Sequence, residues 1–199
     1  HEQEAPPSFS RSIGGGKVTV SVSSLDGEFN RSALPLLWQM TKAVSWRTLI
    51  VAQALLAHWA TLATSVDQAV VISIDRILDY RGLRRVHNQG EPEHWRHGHR
   101  LEDRSEIAKE LRLLQNIVFS AVDIDGYPGK GKTGRKFNFF NSRFMVVTDT
   151  WGQLSIRGQG TTLYPTQIRF ALGSWVQEYG DRGIRQLGKI LDRNLSYDP

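Results

Sequence analysis

The sharpest chemical signal in this sequence is Gly126-Tyr127-Pro128-Gly129-Lys130-Gly131-Lys132-Thr133, which satisfies G-x-x-x-x-G-K-[ST]. As a phosphate-binding P-loop the pattern needs a loop that opens a helix, so that the helix N-terminus faces the phosphates. Here Lys136-Phe137-Asn138-Phe139-Phe140 follows, which is aromatic and β-favouring. The metal-binding Asp of such a site is also misplaced: Asp149 comes too soon and Asp75 lies upstream. A small nucleotide-binding protein using Gly126–Thr133 is therefore the alternative reading. The favoured one is a basic loop between two strands, a wing that touches a polyanion. Gly126 to Arg143 holds Lys130, Lys132, Arg135, Lys136 and Arg143 and no acid, an excess equal to the +5 of the whole chain. Glycines let backbone approach phosphates, and lysines neutralise them. A basic loop that is only solvated is the bland alternative.

Two other stretches carry candidate chemistry. His87, His94, His97 and His99 stand near Glu91 and Glu93, but His94 and His97 lack the i, i+4 spacing of a helical zinc site. Arg84, Arg85, Arg96 and Arg100 surround them and would repel a cation, so no metal is expected; these guanidinium groups suit phosphates instead. On a helix over roughly Glu102 to Gln115, turning Ile107, Leu111 and Leu114 inward sends Ser105, Lys109, Arg112 and Asn116 outward. Those residue types read base edges and phosphates. Glu102, Glu106 and Glu110 share the flank and dilute the field. No Ser/His/Asp set or paired carboxylates assemble, so neither an enzyme nor a cofactor is expected.

The elements that must position these residues belong to a chain of 199 residues, 40% hydrophobic and 23% charged, a globular composition. Absent cysteine excludes disulfides, a thiolate zinc site and a Cys nucleophile, and fits a reducing compartment. No signal peptide is legible, and a cytoplasmic location is expected. Thr48 to Val66 is uncharged for nineteen residues, but Gln53, His58 and several Thr and Ser argue for a core helix over a membrane span.

Residues 1–16 read as a flexible tail ending in Gly14-Gly15-Gly16, and Lys17 to Ser23 alternates as a half-buried strand. Pro35 opens a first helix. Ser45 is placed to cap a second, with the stripe Leu49, Ala52, Leu56, Trp59 and Ala63. Val70 to Ile72 is a short β run. Ser73 then caps a helix through Tyr80 that Gly82 stops. Arg84 to Arg100 reads as a long exposed loop, followed by the helix from Glu102. Ile117–Ile124 and Phe137–Thr148 are strands around the basic loop, and two short helices are expected near 173–179 and 183–193. Strand, helix, turn, helix and two strands is the order of a winged helix-turn-helix.

The run Ile77-Leu78-Asp79-Tyr80-Arg81-Gly82-Leu83, with Gly98-His99-Arg100-Leu101-Glu102-Asp103-Arg104-Ser105-Glu106-Ile107 and Leu111 to Ile117, resembles the winged-helix replication initiators of plasmids and related mobile elements. A fainter likeness continues at Gly173-Ser174-Trp175 and from Leu191 to Pro199. The resemblance covers about half the chain and implies DNA binding more firmly than complete initiator activity. Such initiators often carry a second winged helix, which would make this chain a fragment of a longer two-domain protein.

The expected architecture is thus α+β, mostly α: a single winged-helix domain over residues 17–199 with a β-hairpin wing and extra flanking helices. The expected function is non-catalytic binding of double-stranded DNA. Its contacts are Arg84, Arg85, Arg100, Arg104, Ser105, Lys109, Arg112 and Asn116, with Lys130, Lys132, Arg135 and Lys136 in the wing. A homodimer and other replication proteins are open as partners. A structural or protein-interaction domain with solvated basic loops is the remaining alternative.

Overall fold

The computed structural model describes residues 7–13, 16–23, 34–83, 99–125, 136–157 and 160–179. The elements in chain order are β1 (Ser8–Ile13), β2 (Gly16–Val22), α1 (Leu34–Ala43), α2 (Trp46–Leu62), β3 (Val70–Ser73), α3 (Ile74–Tyr80) and α4 (Leu101–Asn116). They continue as β4 (Ile117–Asp125), β5 (Lys136–Arg143), β6 (Met145–Arg157), β7 (Gly160–Leu172) and a 3-10 turn, Ser174–Tyr179. The strands form two antiparallel sheets, ordered β1-β2-β4-β5 and β3-β7-β6. The architecture is mixed α+β. The expected α-rich balance is corrected, because strand residues outnumber helical ones among the described residues.

Helix ends follow their local chemistry. Ser45 caps α2, its Oγ accepting from the Arg47 amide at 3.2 Å while its own amide donates to Thr48 Oγ1 at 3.0 Å. Ser73 Oγ accepts from the Arg76 amide at 3.2 Å at the start of α3. At the other end Gly82 has φ of 71°. Its amide donates to Asp79 C=O at 2.9 Å, and the Leu83 amide donates to Leu78 C=O at 3.1 Å. This is a Schellman stop, which needs a left-handed residue where Gly now stands.

The core lies between α2, α3 and α4 on one side and the second sheet on the other. Val51, Leu55 and Trp59 of α2 meet Ile74, Ile77 and Leu78 of α3, and Ile107, Leu111 and Leu114 of α4. Ile72, Met145, Ile168, Phe170 and Leu172 supply the sheet side. The α4 stripe is the one its spacing predicts. The α2 stripe is rotated from its prediction: Thr48, Val51, Ala52, Leu55 and Trp59 are buried, whereas Leu49 is 58% exposed. A helix apolar on most sides does not declare which face its neighbours will choose. No helix among the described residues is long and apolar enough to cross a membrane.

Three further expectations are corrected. Residues 8–13, read as tail, form β1, whose partner β2 lies too close in sequence for the two to show as separate runs. Gly16, read as part of a flexible break, is packed in β2; a Cβ there would lie 2.4 Å from Val122 O. Phe137 to Thr148, read as one strand, breaks at Phe144, and the chain passes from the first sheet to the second. That crossing is well tied. Phe144 N–H donates to Ile117 C=O at 2.8 Å, and its own carbonyl accepts from Gly173 N–H and from Trp175 Nε1–H at 3.0 Å. Phe119, Phe144 and Trp175 pack there with centroids 5.9–6.1 Å apart, Phe144 and Trp175 stacked. The short helix expected near 183–193 lies outside the described residues.

Candidate nucleic-acid interface

α4 is anchored by its buried stripe, so its opposite ridge is fixed in direction. That ridge exposes Glu102, Glu106, Lys109 and Arg112 in succession. Its first half is acidic, which suits a helix N-terminus, and its second half is basic. Neighbours offset the acids. Glu106 lies between Arg47 Nη1 at 3.6 Å and Arg81 Nη2 at 3.7 Å, and the Thr48 hydroxyl donates to Glu110. Lys109 and Arg112 remain as the exposed cations of the ridge, and Arg100, also exposed, stands at the N-cap of α4.

Two of the expected DNA contacts are engaged inside the protein. Arg104 forks onto Asp75 of α3, with Nε to Oδ1 and Nη2 to Oδ2 both 3.0 Å. The pair is largely screened from solvent, with 13% and 23% of the side chains exposed. A guanidinium held in this planar fork braces α3 against α4. Asn116 is buried. Its Nδ2 donates to Arg112 C=O at 2.7 Å, and its own carbonyl accepts from the Ser23 amide. The helical wheel sends Asn116 outward, but α4 ends there and β4 begins, so the outward side is covered by the chain itself. Ser105 is half-buried.

The remaining expected contacts sit elsewhere. Lys136 opens β5 opposite Asp125. Arg84, Arg85, Lys130, Lys132 and Arg135 lie outside the described residues, as does most of the Arg84–Arg100 loop. His99, at the end of that loop, is buried, with Nε2 3.0 Å from Asp79 Oδ1. It holds the C-terminal end of α3 to the approach to α4. Arg143, counted with the basic loop, donates from Nη1 to Gln115 C=O at 3.1 Å, at the negative end of α4.

Sequence reasoning missed three cations. Arg47 and Arg81 are set around Glu106 by α2 and by the α3 stop. Arg169, on the solvent side of β7, pairs with Asp149 at 3.2 Å and lies over Trp151 at 5.5 Å. The Ile168, Phe170 and Leu172 alternation that orients Arg169 was available in the sequence. The strands β4 and β5 do flank the basic loop as expected, but they belong to the sheet of β1 and β2, whereas the strand preceding α3 pairs with β7. Among the described residues no three His, Asp or Glu gather to hold a metal ion.

No family model and no curated protein matches the chain. Among solved structures, two crystal structures of domains 2 and 3 of RctB are similar. One has 13% identity and a TM-score of 0.43, over 88% of this chain and 55% of that one. The other has 15% identity and a TM-score of 0.44, over 89% and 57%. The chain thus spans just over half the length of those structures. Neither score reaches the level at which a common fold follows.

Proposed function

We propose that this chain is a non-catalytic, double-stranded DNA-binding module of winged helix-turn-helix type, with α4 as the helix that enters the major groove. The observation that carries the reading is the order β3, α3, α4, β6, β7, with β3 at the edge of a sheet ordered β3-β7-β6. In a winged helix a short strand precedes the helix pair and is paired by the hairpin that follows it. On this reading the β6–β7 hairpin is the wing, and the basic loop between β4 and β5 is a separate phosphate-binding element inserted ahead of it. Lys109, Arg112 and Arg100 supply the contacts of the helix. The resemblance of residues 77–117 to plasmid-type replication initiators supports a role at a replication origin in the cytoplasm.

The nucleotide-binding alternative is weakened by β5. A strand opens at Lys136, directly after the stretch in which a P-loop would have to start its helix. Fluorescence polarisation of labelled duplex DNA across a salt series, with an ATP titration alongside, separates the readings. The expected result is duplex binding whose log K falls linearly with log salt, by about 0.9 for each phosphate neutralised. ATP affinity in the micromolar range that disappears in Lys132→Ala would overturn it in favour of nucleotide binding. Absence of duplex binding at low salt would favour a protein-interaction domain.

A further inference from the structure

We propose that β1 is a self-pairing edge, through which two copies of this chain join their four-stranded sheets about a two-fold axis at Ser10. Among the described residues β1 is the outer strand of the first sheet, and every residue from Ser8 to Ser12 is exposed. Its inner side is satisfied by β2 in an unbroken register, from Ser8 opposite Ser21 to Ile13 opposite Gly16.

The backbone groups left over can be identified. The Val22 amide donates to Pro7 C=O at 3.2 Å, so Pro7 and Val22 turn their backbone groups towards each other. Antiparallel pairs alternate, so Phe9 and Arg11 also face β2 while Ser8, Ser10 and Ser12 direct N–H and C=O outward. The contact of Ser10 Oγ with Thr19 Oγ1 at 2.8 Å agrees, since side chains approach most closely at pairs that do not exchange backbone hydrogen bonds. Residues 8–13 contain no Pro and no bulge, two of the devices that ordinarily blunt an edge, and a single charge, Arg11.

A second copy fits this edge better than an unrelated strand does, because the pattern complements itself. A two-fold axis normal to the sheet keeps each face on its own side. Ser10 then meets the partner's Ser10, and Ser8 meets the partner's Ser12, with about six new ladder hydrogen bonds. Phe9 falls opposite the partner's Arg11 on both sides of the axis, at the closer spacing of about 4.5 Å between Cα atoms. Guanidinium against a phenyl ring is attractive, and the pairing covers Phe9, which is 66% exposed. Sliding the register by two residues in one direction opposes Arg11 to the partner's Arg11, which like charge disfavours; sliding in the other shortens the ladder.

Because the chain has no cysteine, Ser10→Cys carries a single thiol. Across the axis its Cα atoms would lie about 5.5 Å apart, within the range a disulfide spans. Mild oxidation at micromolar concentration should give a covalent dimer of Ser10→Cys but not of Ser12→Cys, whose copies would be about 14 Å apart. An equimolar mixture of Ser8→Cys and Ser12→Cys should cross-link again. In sedimentation velocity the unmodified chain should show a concentration-dependent dimer. Ser10→Pro removes the outward N–H together with the Ser10 Oγ contact to Thr19, and Ser10→Ala removes that contact alone; association should weaken at least about tenfold in the proline variant and not in the alanine variant, each with an unchanged circular dichroism spectrum. A monomeric unmodified chain at all concentrations, Ser10→Cys that stays monomeric on oxidation, or cross-linking equal at positions 10 and 12 would each overturn the proposal.

Discussion

Replacing Arg104 with Ala separates a structural role for this arginine from a DNA-contacting one. The side chain makes two charge-assisted hydrogen bonds to Asp75, and both partners are mostly covered. Exposed ion pairs contribute about 0–1 kcal/mol, and breaking a buried one costs about 3–5 kcal/mol. This pair lies between those limits, so Arg104→Ala should cost about 2 kcal/mol. With a urea dependence of about 2 kcal/mol per molar, the unfolding midpoint should fall by about 1 M. Arg104→Lys keeps the charge but loses the fork and should recover only part of the loss. The double variant with Asp75→Ala should be less destabilised than the sum of the single variants by about 1–2 kcal/mol. Measured where the variant is still folded, the salt slope of duplex binding should equal that of the unmodified protein. An unchanged urea midpoint together with a slope flattened by about 0.9 would refute the brace and return Arg104 to the DNA.

Three other outcomes follow from particular residues. Lys109→Ala and Arg112→Ala should each flatten the salt slope by about 0.9 if the residue meets a phosphate, or cost about 1–3 kcal/mol on a preferred duplex only if it meets a base edge. Polarisation titrations on two duplexes distinguish these effects. Gly173→Ala places a Cβ 1.7 Å from Arg143 O, so the backbone must move; quenching of the Trp175 fluorescence should change and the thermal midpoint should fall by several degrees. Ser45→Ala removes the α2 cap and should cost about 1 kcal/mol in urea unfolding, with no effect on duplex affinity.

What could be read from the sequence was local. Ser45, Ser73 and Gly82 announce helix ends because a cap acts within one turn of its own residue. Ile107, Leu111 and Leu114 mark the buried face of α4 because the rest of that helix is polar. What could not be read depended on distant partners. β6 and β7 are each thirteen residues long, yet an extra residue in each ladder, Thr148 in β6 and Thr166 beside Pro165 in β7, breaks the alternation of both strands. The site suffered in the same way. Arg104 and Asn116 are of types that read DNA, and no sequence pattern shows that Asp75, twenty-nine positions away, holds the first of them.

The position of the β4–β5 excursion explains how one chain can hold both a helix-and-hairpin unit and a second sheet. α4 runs into β4 without a loop, and the excursion leaves to pair with β2. It closes where it opened, since Phe144 N–H meets Ile117 C=O. From the α4 side, β6 therefore begins almost where the helix ends. Gln115 joins them directly: its Oε1 accepts from the Val147 amide at 3.3 Å, and its carbonyl accepts from Arg143. An insertion whose ends are pinned to one point need not displace the elements it interrupts, and each doubling of the closed loop adds only about 0.6 kcal/mol. The α4 ridge and the β1 edge are thus carried on different sheets joined at the Phe119, Phe144 and Trp175 seam. Loosening β1 should leave the brace between Arg104 and Asp75 intact, whereas loosening the seam at Gly173 should disturb both sheets together.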